Sequence, residues 1–116
     1  MAPSENFEQI TVESVAERLA TQRDQVQFID VREPQELTIA QIEGFQVFPL
    51  SQFADWSNTI QTQLDPNKET VVMCHHGMRS AQMCQWLVSQ GFRNVKNVVG
   101  GIDAYSARVD PGVPRY

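Results

Sequence analysis

The stretch Thr70-Val71-Val72-Met73-Cys74-His75-His76-Gly77-Met78-Arg79-Ser80 passes from a nearly continuous apolar run, through a polar turn, into a helical pattern. An apolar run without alternation suits a strand buried on both faces, as in a parallel sheet. From Ser80 to Gln90 the residues Ala81, Cys84, Leu87 and Val88 fall on one helical face, and Gly91 follows as a stop. A strand that ends in a turn opening a helix is half of a β-α-β unit, so the neighbouring segments decide the fold class.

Working outward, four more segments read as strands: Phe7–Ile10, Gln27–Val31, Gln46–Leu50 and Val95–Val99, the last ending at Gly100-Gly101. Helical patterns alternate with them. Thr11 can cap a helix over Val12–Gln22, with Val12, Val15, Ala16 and Leu19 as its apolar face. A short helix over Glu33–Ala40 starts through Pro34. Ser51 can cap another, with Phe53, Trp56, Ile60 and Leu64 facing inward, and a last helix covers Ile102–Ala107. The alternation predicts an α/β domain with a central, mostly parallel five-stranded sheet and helices on both faces. In such sheets ligands bind beyond the carboxyl ends of the strands, which places the chemistry just after Met73.

A chain of 116 residues fits one domain, 1–116, with residues 1–6 and the tail Asp110-Pro111-Gly112-Val113-Pro114-Arg115-Tyr116 reading as flexible termini. The net charge of -5 argues against nucleic acid or an anionic membrane as partner, because both repel an acidic surface. No signal peptide opens the chain, and no apolar run is long enough to span a membrane. A reducing, cytoplasmic compartment is expected, with Cys74 and Cys84 as free thiols.

The turn after Met73 carries the chemistry. Loop amides and a helix N-terminus can converge on the Cys74 sulfur and stabilise negative charge there. Arg79 adds a cation whose fork can grip an oxyanion or lock the loop. Gly77 supplies backbone freedom. Together they favour the thiolate, which makes Cys74 the candidate nucleophile. His75, His76, Gly77, Met78 and Arg79 are the candidate substrate-binding residues. The histidines contribute amides and polar walls, and a histidine can also hold the thiolate or steer an anion. Two adjacent histidines beside one cysteine lack the spacing of a zinc site, so no metal is expected. Cys84 shares a helix face with Ala81, Leu87 and Val88 and reads as core, with a resolving thiol for Cys74 as the alternative. Asp30 and Arg32 end a strand on the same edge; a structural ion pair and a direct substrate contact are both open for them.

Cys74-His75-His76-Gly77-Met78-Arg79-Ser80 resembles the active-site loop of the rhodanese family. Asp30-Val31-Arg32-Glu33-Pro34-Gln35-Glu36 is similar to that family's early signature, and Asn97-Val98-Val99-Gly100-Gly101-Ile102-Asp103-Ala104-Tyr105 to its late one. The pieces stand in family order, so the resemblance spans Phe7 to Tyr116. One stretch departs: where many members carry His-Ile-x-Gly-Ala, this chain has Gln41-Ile42-Glu43-Gly44-Phe45.

The resemblance implies a sulfurtransferase of the thiosulfate (rhodanese) kind. Sulfane sulfur would pass from a donor such as thiosulfate to cyanide or a thiol, through a persulfide on Cys74 and without cofactor. Its partners would be small-molecule donors and acceptors, or a protein thiol as acceptor. Two alternatives stand beside it: a persulfide carrier or regulatory module serving a partner protein, and a phosphatase or arsenate reductase on the same fold. Four residues separate Cys74 from Arg79. Phosphatases of this kind use one more, so the loop length speaks for sulfur transfer.

Overall fold

The computed structural model describes residues 7–116. Five strands, β1 (Glu8–Ile10), β2 (Val26–Asp30), β3 (Gln46–Val47), β4 (Glu69–Met73) and β5 (Val95–Val98), form one sheet. Its order is β1-β5-β4-β2-β3, and every neighbouring pair is parallel. The helices are α1 (Val12–Thr21), α2 (Pro34–Leu37), α3 (Phe53–Trp56), α4 (Ile60–Gln63), α5 (Met78–Ser89) and α6 (Gly101–Arg108). This is the α/β architecture read from the sequence.

The central strand β4 shows why the run Val71-Val72-Met73 is uninterrupted. Val71 and Met73 face a core shared with α1 and α6, while Val72 and Cys74 face a second core built by α4 and α5. All three apolar residues of the run are fully buried. Both faces are covered, so alternation has no place in the strand. The same pleat aims Cys74, the residue after the strand, toward α5.

Local chemistry sets the element ends. Thr11 caps α1, its hydroxyl accepting from the Ser14 amide at 3.2 Å. Glu33 and Glu36 form a reciprocal capping box on α2, with Pro34 in its first turn. Regular helix ends there at Leu37, short of the expected Ala40, although the Ile39 and Ala40 amides still bond to the Glu36 carbonyl. β3 stops at Val47, short of the expected Leu50, although the Phe48 and Leu50 amides still bond to the Asp30 and Val31 carbonyls. The helix expected after Ser51 is broken. Leu50–Gln52 and Ser57–Thr59 are 3₁₀ turns, and Ser51 lies inside the first, its amide and hydroxyl bound to Glu33. The Ser57-Asn58-Thr59 cluster explains the second break, since such side chains compete for backbone groups; Thr59 Oγ1 bonds the Trp56 carbonyl. Trp56, Ile60 and Leu64 still face the core, whereas Phe53 is partly exposed and packs on Trp56 and Trp86.

The tail corrects another expectation. It is not loose: Val113 is buried in the α1/α6 core, Ser106 Oγ bonds its carbonyl, and Arg115 pairs with Asp103. Residues 1–6, also expected to be flexible, lie outside the described residues. Among the described residues, no helix is long and apolar enough to cross a membrane.

Candidate active site

Cys74 leaves β4 at the carboxyl edge of the sheet and is almost fully buried. The next three residues turn under it, and α5 starts at Met78, two residues earlier than its apolar pattern suggested. Gly77 caps that helix with φ of +111°, a conformation that disfavours a side chain. Its amide donates to Cys74 Sγ at 3.0 Å. Ser80 Oγ, from the first turn of α5, lies 3.3 Å from the same sulfur.

The loop is held from behind. The Ile102 amide donates to the Cys74 carbonyl at 2.9 Å, and the Asp103 amide to the His75 carbonyl at 3.1 Å. Asn97 Nδ2 donates to the Gly77 carbonyl at 3.1 Å. With these carbonyls tied outward, the loop amides are free to face the sulfur. Gly101, at φ of +61°, makes the approach possible: a Cβ there would stand 2.4 Å from both the Cys74 and His75 carbonyl oxygens. The Gly100-Gly101 pair that ends the last strand thus also lets α6 reach the loop.

Burial opposes charge on Cys74 more than any other influence. Hydrogen bonds from the Ser80 hydroxyl and from the Ser80, Gly77 and His76 amides nevertheless outweigh it, and the thiol is held below its ordinary range. Cys84 goes the other way. It is fully buried against Leu87 and Met83, and that burial pushes its thiol far up. Both cysteines are free.

Arg79 directs its fork inward. Its Nη1 and Nη2 donate to the two oxygens of Glu36 at 2.6 and 2.9 Å. Tyr116 Oη adds a third bond to Glu36 at 2.7 Å. Led by the Arg79 bonds, the Glu36 carboxyl is lowered to about 2. Asp30 and Arg32 form a fully buried ion pair, Nη2 to Oδ2 at 2.8 Å. Arg32 reaches on to the Ala40 carbonyl and to Tyr116 Oη, each at 2.9 Å. The pair therefore ties the end of β2 to the segment after α2 and to the C-terminal tail. Glu36, Tyr116, Ser80 and Asn97 are the site residues that sequence reading left out. Glu36, Ser80 and Asn97 lay in view inside the three signatures without a role assigned to them, and nothing in the sequence pointed to the partner of Glu36 on α5.

The rim is polar. The His75 ring stacks on Tyr116 at 3.9 Å, and its Nε2 lies 2.8 Å from the Tyr116 carbonyl oxygen. His76 stacks on His75 and faces Asp103 at 3.9 Å, and Asp103 is already paired with Arg115. The three polar groups His75, His76 and Asp103 come within 4.8 Å of one another, a proximity the count of Cys and His had overlooked. Two of them are committed to partners inside the chain, and we assign no metal ligand there. Met78 stands 80% exposed at the loop's outer edge. Gln41, where the family pattern is broken, lines a cleft of about 320 Å³ with Arg23, Tyr105 and Asp110, and no loop residue takes part in it. Phe45, the other departure, packs on Phe28.

The geometry defines a class: α/β domains that hold a buried cysteine at a strand end, in a cradle of amides at a helix N-terminus. Comparison with known proteins narrows it. Residues 11–108 match the Rhodanese-like domain, and the chain belongs to that family. It is 54% identical over 93 residues to the Arabidopsis thaliana "Rhodanese-like/PpiC domain-containing protein 12, chloroplastic", covering 80% of this chain and 31% of that protein. It thus spans about a third of that relative's length. A "Sulfurtransferase" from Allochromatium vinosum is 31% identical over 98 residues, covering 84% of this chain and 87% of the relative. Among solved structures, a rhodanese-related protein from Thermoplasma volcanium superposes with a TM-score of 0.73 at 28% identity, covering 94% of this chain and 99% of that one.

Proposed function

We propose that this protein is a sulfurtransferase that carries sulfane sulfur on Cys74. The observation that carries the reading is the cradle itself: a buried sulfur that receives the Gly77 amide at 3.0 Å and sits 3.3 Å from a serine hydroxyl, at the head of α5. The Cys74 thiolate attacks the outer sulfur of a donor such as thiosulfate. A new S–S bond forms, the donor's S–S bond breaks, and sulfite leaves with the bonding electrons. The persulfide's outer sulfur is then attacked by an acceptor. Cyanide leaves as thiocyanate, a thiol leaves as its own persulfide, and the Cys74 thiolate is regenerated. Splitting one transfer into two displacements is covalent catalysis, and the loop amides stabilise the sulfur anion in each. Gly77, His76 and Ser80 supply the donors; His75 and Met78 wall the opening; Arg79 holds the loop to α2 through Glu36. No step calls for a metal or cofactor. A reducing compartment such as the cytoplasm would keep Cys74 a free thiol between turnovers.

A carrier that hands persulfide to a partner protein is the second reading. It is favoured by one fact: this chain corresponds to a minor part of a longer relative whose name joins a second domain. Intact mass after incubation with thiosulfate tests the shared step. Gain of one sulfur atom, about 32 mass units, that disappears in Cys74→Ser supports it; an adduct that persists in Cys74→Ser and is lost in Cys84→Ser overturns it. Turnover of free thiosulfate with cyanide then separates enzyme from carrier.

A further inference from the structure

Behind Cys74 a chain of side chains runs into the protein. Ser80 Oγ lies 3.3 Å from Cys74 Sγ and is also hydrogen-bonded to Asn97 Oδ1. Asn97 Nδ2 donates to the Gly77 carbonyl at 3.1 Å and to Gln9 Oε1 at 3.2 Å. Cys74, Ser80 and Asn97 are all between 0 and 4% exposed. The Gly77 carbonyl can only accept, so the amide nitrogen of Asn97 must face it and the amide oxygen must face Ser80.

A serine hydroxyl has one proton to give. With Cys74 as a thiol, every group is satisfied: the S–H donates to Ser80 Oγ, and Ser80 donates to Asn97 Oδ1. When Cys74 ionises, its proton leaves to solvent and the Ser80 hydroxyl turns toward the sulfur. Asn97 Oδ1 is then left facing a lone pair in a buried place, which is costly. The amide cannot relieve this by turning over, because its oxygen would meet the Gly77 carbonyl.

We propose that Asn97 is a positioning residue that acts through Ser80, holding the hydroxyl proton away from Cys74 and keeping the thiolate more basic than the loop alone would make it. Thiolate nucleophilicity rises with basicity, with a Brønsted slope of about 0.4–0.5, so Asn97 trades some thiolate population for reactivity of each thiolate. The inference rests on Cys74 being the nucleophile. Other charged and titratable groups act on or stand around Cys74. On α5, Arg79 favours the thiolate through space and Cys84 couples to it. His75 and His76 lie on the loop. Glu36 of α2 is tied to Arg79, Asp103 of α6 to Arg115, and Asp30 to Arg32. Substitution at Asn97 removes none of these groups.

The test is the rate of Cys74 alkylation by iodoacetamide against pH, with the site read by peptide mass. In Asn97→Leu and Asn97→Ala the midpoint should fall by about five- to tenfold in acidity, the worth of one hydrogen bond. The high-pH plateau should drop roughly two- to threefold. Ser80→Ala should raise the midpoint, and adding Asn97→Ala to it should change nothing further. A midpoint unmoved or raised in the Asn97 variants, or shifted equally on the Ser80→Ala background, overturns the proposal. In the wild-type protein the Asn97 carboxamide carbon, followed by NMR, should titrate with the Cys74 midpoint; a flat response overturns it whether or not any variant folds. Alkylation needs no sulfur donor, so failure to take sulfur from thiosulfate would leave this result standing, and the reverse.

Discussion

Replacing Glu36 by glutamine keeps the shape of the side chain and removes its charge. In the native protein that carboxylate accepts two bonds from Arg79, one from Tyr116 Oη and one from the Glu33 amide. Its carboxyl is lowered from the usual 4.5 to about 2, chiefly by Arg79. A drop of that size corresponds to about 3 kcal/mol, at about 1.36 kcal/mol per tenfold in acidity. Arg79 is 35% exposed, so solvent screens the pair, and about 1–2 kcal/mol is the fair expectation. Because the folded value is depressed, the stabilisation is complete above the unfolded carboxyl's range and fades as pH falls from about 4.5 to about 2. Urea melts of wild type and Glu36→Gln should therefore differ by about 1–2 kcal/mol at neutral pH and converge in acid. The same lock governs the loop, so Arg79→Lys, which keeps the charge and loses the fork, should lower the melting temperature on the order of 5 °C. It should also slow reaction with thiosulfate and with an uncharged persulfide donor alike. A pH-independent difference for Glu36→Gln would refute the linkage. Selective loss of thiosulfate use in Arg79→Lys at unchanged stability would refute the lock and make Arg79 an anion contact.

Gly101→Ala puts a Cβ 2.4 Å from two loop carbonyls, so a loss of about 2–3 kcal/mol and of most Cys74 reactivity is expected, measured by melting and alkylation. In the wild-type protein, alkylation against pH should show Cys74 titrating below the free-thiol value of about 8.5, with Cys84 protected until the chain unfolds; a midpoint at or above the free value would contradict the amide cradle. Tyr116→Phe removes the hydroxyl that joins Arg32 to Glu36 and should cost about 1–2 kcal/mol by chemical denaturation; no change would mean that the hydroxyl adds nothing to the other contacts that dock the tail.

Much of the fold was legible because the signals were local. Val71-Val72-Met73 announces a buried strand by composition, and Thr11 and Pro34 announce helix starts by their side chains. Most of what failed depended on partners far away in sequence. The tail reads as loose from Pro111, Gly112 and Pro114, yet Tyr116 meets Glu36 and Arg32 some eighty residues earlier. Phe53 fits the helical face of its segment, but two 3₁₀ turns rotate it outward onto Trp86. At the site, Cys74 and Gly77 were visible as a motif, whereas the direction in which Arg79 points was not. A fork can take an anion or a carboxylate of its own chain, and only the fold brings Glu36 to it.

The size of the site follows from the way these distant pieces meet. The loop from Cys74 to Gly77 is short, and its carbonyls at Cys74, His75 and Gly77 are each claimed by a donor from α6 or β5. A loop anchored at three carbonyls cannot spread, so its amides converge on one small volume at the Cys74 sulfur. A sulfur atom needs no more than that, while a tetrahedral oxyanion needs donors on several oxygens and hence a wider ring. Arg79, which could have widened the anion site, is drawn toward α2 by Glu36. Loop length, the glycine that admits α6, and the carboxylate that occupies the arginine thus act in one direction. Lengthening the loop without releasing Glu36 would leave the cation out of reach of a larger anion, and releasing Glu36 without lengthening the loop would leave the amides too close together to receive one.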